Sequence, residues 1–172
     1  MRTVREHVRA VIAVVTAATA IVVITGCSGG SRVDSESNGA VSTAEARQSV
    51  QDIVDRTASS LEGDWEVYSG PSVEQCSKSD GSDGAAYRYI KALAKPTGEP
   101  ETDIAVVEKL WEETGITTQP YESGGDDPIL GLRGAGGPTT SISFLADTRR
   151  YTVSATSECA DGDAVEMQRN GE

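Results

Sequence analysis

The spacing of apolar side chains divides the chain into regions of different character. Ala10 to Ile24 is apolar except at Thr16 and Thr19, whereas Ser28 to Ser42 holds almost no large apolar residue. From Thr43 the apolar positions return at steps of three and four: Ala46, Val50, Ile53, Val54, Thr57 and Leu61. Arg47, Gln48, Gln51, Asp52 and Asp55 fall between them. A helix gathers such positions on one side, so the spacing predicts an amphipathic helix over Thr43–Leu61 that lies on a core. Ser42 followed by Glu45 fits a capping box at its start, and Gly63 ends it. A second helix is predicted over Glu101–Thr114, with Ile104, Val107, Leu110 and Trp111 as its buried stripe. Its acidic first turn suits the positive end of the helix dipole, and Gly115 fits the position just past its end.

Elsewhere the period shortens to two. Trp65-Glu66-Val67-Tyr68 alternates as a strand does, and Ser69-Gly70-Pro71-Ser72 is expected to turn the chain towards Cys76. Ala86 to Ala94 fits a strand or a helix by pattern, and its aromatic pair and a pairing with the strand at Trp65 favour a strand. Strands are expected again over Ile116–Tyr121 and Ile129–Arg133. The sharpest alternation comes last, where Ile142, Phe144 and Ala146 face Tyr151, Val153 and Ala155 across a tight turn at Asp147–Arg149. The order is helix, two strands, helix, then three or four strands, with no internal repeat. Meandering strands do not need helical crossovers, so the expected fold is α+β, with two helices packed on one face of a mainly antiparallel sheet.

The apolar run near the start is preceded by Arg2, Arg5 and Arg9, which is the layout of a secretory signal. It falls short of the roughly 20 apolar residues that a spanning helix needs. Ile24-Thr25-Gly26-Cys27 comes directly after it and resembles the lipobox of bacterial lipoproteins, in which small residues precede the cysteine that receives the lipid. The resemblance implies cleavage after Gly26 and lipidation of Cys27. Acyl chains contribute roughly 0.8 kcal/mol per buried CH₂, and more than one is needed for stable attachment. The organisation expected is therefore a signal peptide over 1–26, a flexible Ser/Gly-rich tether over 27–43, one α+β domain over 44–165 and a disordered tail over 166–172.

Charge and chemistry change this picture in two respects. Removal of residues 1–26 lowers the basic count from 15 to 12 and the acidic count from 27 to 26, so the net charge moves from −12 to −14. Such an excess argues against nucleic acid as a partner and against electrostatic adhesion to anionic lipid. The single histidine, His7, leaves with the signal. A chain without histidine cannot build a Ser-His-Asp or Cys-His centre or the usual histidine zinc site, and no cofactor is implied. Carboxylate-only chemistry of the kind used on glycosides stays open.

Three cysteines are present, Cys27, Cys76 and Cys159. With Cys27 assigned to lipid, one pair is left, and outside the cell a Cys76–Cys159 disulfide is expected to persist. It closes a loop of about 83 residues, for which chain entropy gives roughly 4–5 kcal/mol. The bridge would draw together two acidic loops, Asp80-Gly81-Ser82-Asp83 and Asp161-Gly162-Asp163, as possible oxygen ligands for calcium. Neither fits an EF-hand pattern, and solvated turns are the simpler expectation. Gly131 to Gly137 lacks the helix that must come after a phosphate loop and is expected to be a wide hairpin turn. Glu112-Glu113 and Asp126-Asp127 are adjacent pairs that do not share a helix face and lack an apolar pocket to raise one pKa.

With the lipobox, the tether, the order of elements and the late Ser157-Glu158-Cys159 together, the chain resembles small actinobacterial lipoproteins, the mycobacterial LppA-like group among them. That resemblance implies an α+β domain held at the outer face of the cell membrane through Cys27, and implies no agreed activity or catalytic residue. The function expected is a non-catalytic binding or interaction module of the cell envelope, with an envelope protein or a cell-wall component as partner. The alternative is a histidine-free, carboxylate-dependent hydrolase or transferase acting on envelope polymers.

Overall fold

The computed structural model describes residues 41–126 and 128–172. The signal segment, Cys27, residues 28–40 of the tether and Asp127 lie outside the described residues. The first helix, α1 (Thr43–Ser59), starts as the capping box requires: Ser42 Oγ accepts from Glu45 N at 3.2 Å, and Glu45 Oε2 accepts from Ser42 N at 3.0 Å. The folded part begins before residue 43, because Val41 packs against the core and its carbonyl accepts from Asp161 N. Next come two strands, β1 (Trp65–Ser77) and β2 (Asp83–Ala94), then helix α2 (Pro100–Glu113). Four more strands complete the sheet: β3 (Ile116–Ser123), β4 (Ile129–Gly136), β5 (Thr139–Asp147) and β6 (Arg150–Ser157). A short helix, α3 (Ala164–Arg169), ends the described chain.

The six strands form one antiparallel sheet in the order β1-β2-β6-β5-β4-β3. The fold is thus α+β, with α1 packed on β2 and β6, and α2 packed on β3, β4 and β5. The expected pairings hold residue by residue. Ile142, Phe144 and Ala146 oppose Ala155, Val153 and Tyr151, and Trp65 opposes Leu93. Strand alternation puts these residues on the helix side, where Phe144, Leu132, Val153, Tyr151, Val107 and Trp111 are all almost wholly buried. One hydrogen bond joins the two helices inside this core. Trp111 Nε1 donates to Thr57 Oγ1 at 2.9 Å, and the same hydroxyl donates to Ile53 O at 2.7 Å. A buried indole N–H would otherwise go unpaired, so the bond removes a desolvation cost of about 1–3 kcal/mol. Phe144 and Tyr151 meet edge to face, with centroids 5.4 Å apart.

Three expectations are corrected. Ser69-Gly70-Pro71-Ser72 does not turn the chain away but forms an irregularity inside β1, which pairs with β2 on both sides of it. Gly70 sits at φ +83°, and a Cβ there would lie 2.2 Å from Arg88 O, so the bulged strand can approach β2 only with glycine. Gly131 to Gly136 is strand, and only Gly137-Pro138 turns between β4 and β5. The tail expected to be disordered over 166–172 instead starts within a helix that folds back. Asp163 Oδ1 caps α3 by accepting from Val165 N and Glu166 N, Ala164 is buried, and Gln168 Nε2 donates to Val73 O at 2.7 Å. Among the described residues no helix is long and apolar enough to cross a membrane.

Candidate functional site

The helices cover one side of the sheet and leave the other bare of described elements. Alternation decides what that bare side presents. Across the middle strands, Arg88 on β2 opposes Thr156 on β6, which opposes Ser141 on β5. One row along, Ser154 on β6 opposes Ser143 on β5, which opposes Arg133 on β4. These six side chains line a depression of about 280 Å³. Its charged lining is two guanidiniums, and its polar lining is four hydroxyls, none of which has a protein hydrogen-bond partner among the described residues. A Ser or Thr hydroxyl can both donate and accept, so the floor of the depression suits an oxygen-rich ligand.

Arg133 is held in place by an aromatic ring. Its guanidinium lies 4.0 Å from the centroid of Tyr121, on the neighbouring β3. Tyr121 can lie there because it opposes Gly131, where a Cβ would stand 2.5 Å from the ring. Glycine on β4 thus makes room for tyrosine on β3, and tyrosine steers arginine. Arg88 is less constrained, with Nη1 4.0 Å from Glu74 Oε1 and both side chains about half exposed. Further along, Arg150 sits 5.6 Å from the ring centroid of the exposed Tyr68.

The disulfide corner differs in kind. Cys76 and Cys159 are bonded, with Cα atoms 5.9 Å apart, and the bridge does bring the two acidic loops together. What meets there is an ion pair between Lys78 and Asp161. The Lys78 ammonium donates to the Asp161 carboxylate, and that bond raises the Lys78 pKa. Asp80 accepts from the Ser82 hydroxyl at 2.6 Å and from its backbone N–H at 2.9 Å, which lowers its pKa. Asp163 is taken up as the α3 cap. Among the described residues no group of three His, Cys, Asp or Glu side chains is placed to hold a metal ion.

A general acid requires a carboxyl whose pKa is pushed up. Among the described residues, the carboxylates with a displaced pKa all move down: Glu45 through the Ser42 hydroxyl, Asp80 through the Ser82 hydroxyl, and Asp147 through the Arg149 guanidinium. Glu112 and Glu113 are exposed at the end of α2, and Asp126 is exposed in the loop after β3. The pKa values that rise at hydroxyls belong to the tyrosines Tyr87, Tyr89 and Tyr151, in each case chiefly because burial disfavours the phenolate. Tyr151 also donates to Asp103 Oδ2 at 2.8 Å, which ties β6 to the first turn of α2.

None of the residues around the open depression stands out in the sequence. Their only signal there is the polar half of an alternation, which by itself reads as a solvated strand face. Cys27 lies outside the described residues, whereas Cys76 and Cys159 are paired as expected.

No protein-family model matches the chain, and no curated protein matches it. Among solved structures, the chain is similar to a DUF4853 family protein from Actinomyces odontolyticus, at 16% identity and a TM-score of 0.47. The match covers 69% of this chain and 64% of that one.

Proposed function

We propose that the chain is a lipid-anchored, extracytoplasmic binding module of the cell envelope, held to the membrane through Cys27 and engaging its partner with the open face of the sheet. The observation that carries the binding half is the depression between Arg88 and Arg133, with four free hydroxyls on a face that no described element covers. Hydroxyl groups without internal partners cost nothing while hydrated and are ready to bind. The anchoring half is supported by the order of basic residues, apolar run and Ile24-Thr25-Gly26-Cys27.

Each half has its own test. Cys27→Ser should abolish metabolic labelling with palmitate and release the protein from the membrane fraction; labelling that persists contradicts the anchor. A photo-reactive residue at Ser143, activated on intact cells, should capture an envelope component, and the same residue at Gln48 on the exposed side of α1 should not. Capture at Gln48 alone would move the binding face elsewhere.

A further inference from the structure

The lining of the open face also specifies a chemistry for its ligand, an inference that rests on the binding role proposed above. We propose that this face takes an acyclic polyol chain linked by phosphodiesters. Four observations point to it. The first is charge. In a chain of net charge −12 the depression is lined by two arginines and no carboxylate, so it complements an anion that most of the surface repels. The second is spacing. Arg88 and Arg133 stand on β2 and β4 with β6 and β5 between them. At about 4.8 Å per strand, their backbones are roughly 14 Å apart across the sheet, and they are offset by one row along it. A ligand that meets both arginines must therefore also lie over the hydroxyls of Ser141, Ser143, Ser154 and Thr156. Anion, hydroxyl stretch and anion is the pattern of a polyol phosphate.

The third observation concerns rings. The aromatic ring next to the depression, Tyr121, lies against Gly131 and is stacked by Arg133. That leaves no open platform within the depression for nucleobases, whose sequence-tolerant binding depends on stacking. Pyranose rings, which favour the same kind of surface, fit no better. A flexible acyclic chain needs no platform. The fourth concerns lipid. The exposed large apolar residues are Val67, Tyr68, Val106 and Val165, and none of them lines the depression, so no apolar wedge accompanies the arginines into a bilayer. Glu74, at the edge of the depression, competes with the ligand for Arg88.

The test is calorimetric titration of the full chain, in neutral detergent, with short poly(glycerol phosphate). Binding is expected, and it should weaken as salt rises because bound counterions are released. Arg88→Gln and Arg133→Gln should each weaken it roughly tenfold or more, the range for a lost charge-assisted hydrogen bond. Glu74→Gln should tighten it. Denaturant midpoints of all three variants should match the parent, which separates lost contacts from lost fold. Equal binding of neutral polyglycerol, of polygalacturonate or of phosphatidylglycerol vesicles would overturn the assignment, as would binding that the double arginine variant retains. If the polymer fails to bind while Ser143 still captures an envelope component, the ligand chemistry is wrong and the binding face stands. If both fail, the binding role falls with it.

Discussion

The two faces of the sheet are drawn from the same strands, often from neighbouring residues, yet they obey opposite rules. On the helix side, Phe144, Tyr151, Val153 and Leu132 are buried, and polar atoms that accompany them are paired, Trp111 with Thr57, Tyr151 with Asp103 and Lys91 with Asp55, with the buried Trp65 Nε1 as an exception. On the open side, one residue further along each strand, Ser143, Ser154 and Thr156 keep unpaired hydroxyls beside Arg88 and Arg133. A buried polar group without a partner costs free energy, whereas an exposed one does not. The contrast separates the side that holds the fold from the side that is free to hold something else.

The comparison can be broken by substitution, beginning with the largest expected effect. Loss of the disulfide in Cys76→Ser/Cys159→Ser frees a loop of 83 residues, for which chain entropy gives about 4–5 kcal/mol. Denaturant unfolding measures this and sets the scale for both faces. Trp111→Ala, on the covered side, should cost about 3–5 kcal/mol through the cavity it opens. Thr57→Val keeps the volume but strands the Trp111 N–H, and should cost about 1–3 kcal/mol. A loss below about 0.5 kcal/mol would mean the indole finds another partner.

Raised pH offers a further test of the covered side. Tyr87, Tyr89 and Tyr151 have pKa values above the ordinary value of about 10 because burial disfavours their charged form. The unfolded chain therefore releases these protons first, and their contribution is fully present below about pH 10 and is lost as pH climbs beyond it. Tyr151→Phe should make the alkaline fall in stability shallower; an unchanged slope would place the effect elsewhere. The smallest effect belongs to the open side. Ser143→Ala and Ser154→Ala together should change stability by less than about 0.5 kcal/mol, measured by the same unfolding. A loss as large as that of Thr57→Val would show that the open hydroxyls support the fold after all.

How far the sequence discloses this molecule depends on the range over which each signal acts. Local signals were legible: the Ser42–Glu45 cap, the three-and-four spacing of α1 and α2, and the register of β5 against β6 across a tight turn. Two local signals misled. Gly70-Pro71 carries the composition of a turn, but the bulge it makes in β1 exists only because β2 pairs with the chain on both sides. Helix α3, six residues long, is too short to show a period, and Asp163 reads as a cap only once the helix is known. The candidate site was hidden for a related reason. Arg88, Arg133, Ser141, Ser143, Ser154 and Thr156 come from four strands and become neighbours only through the order β2-β6-β5-β4. The disulfide, equally long in range, was legible because cysteines are few enough to count.

That one face of the sheet binds while the other only supports is tested most directly by arginine footprinting with phenylglyoxal. The protein on intact cells is compared with the purified chain. Arg56, Arg88 and Arg133 are all exposed, the first on α1 and the others on the open face. Arg88 and Arg133 are expected to react in the purified chain and to be protected on cells, while Arg56 reacts equally in both. Protection of Arg56 with full reaction at Arg88 and Arg133 would contradict a binding role for the open face.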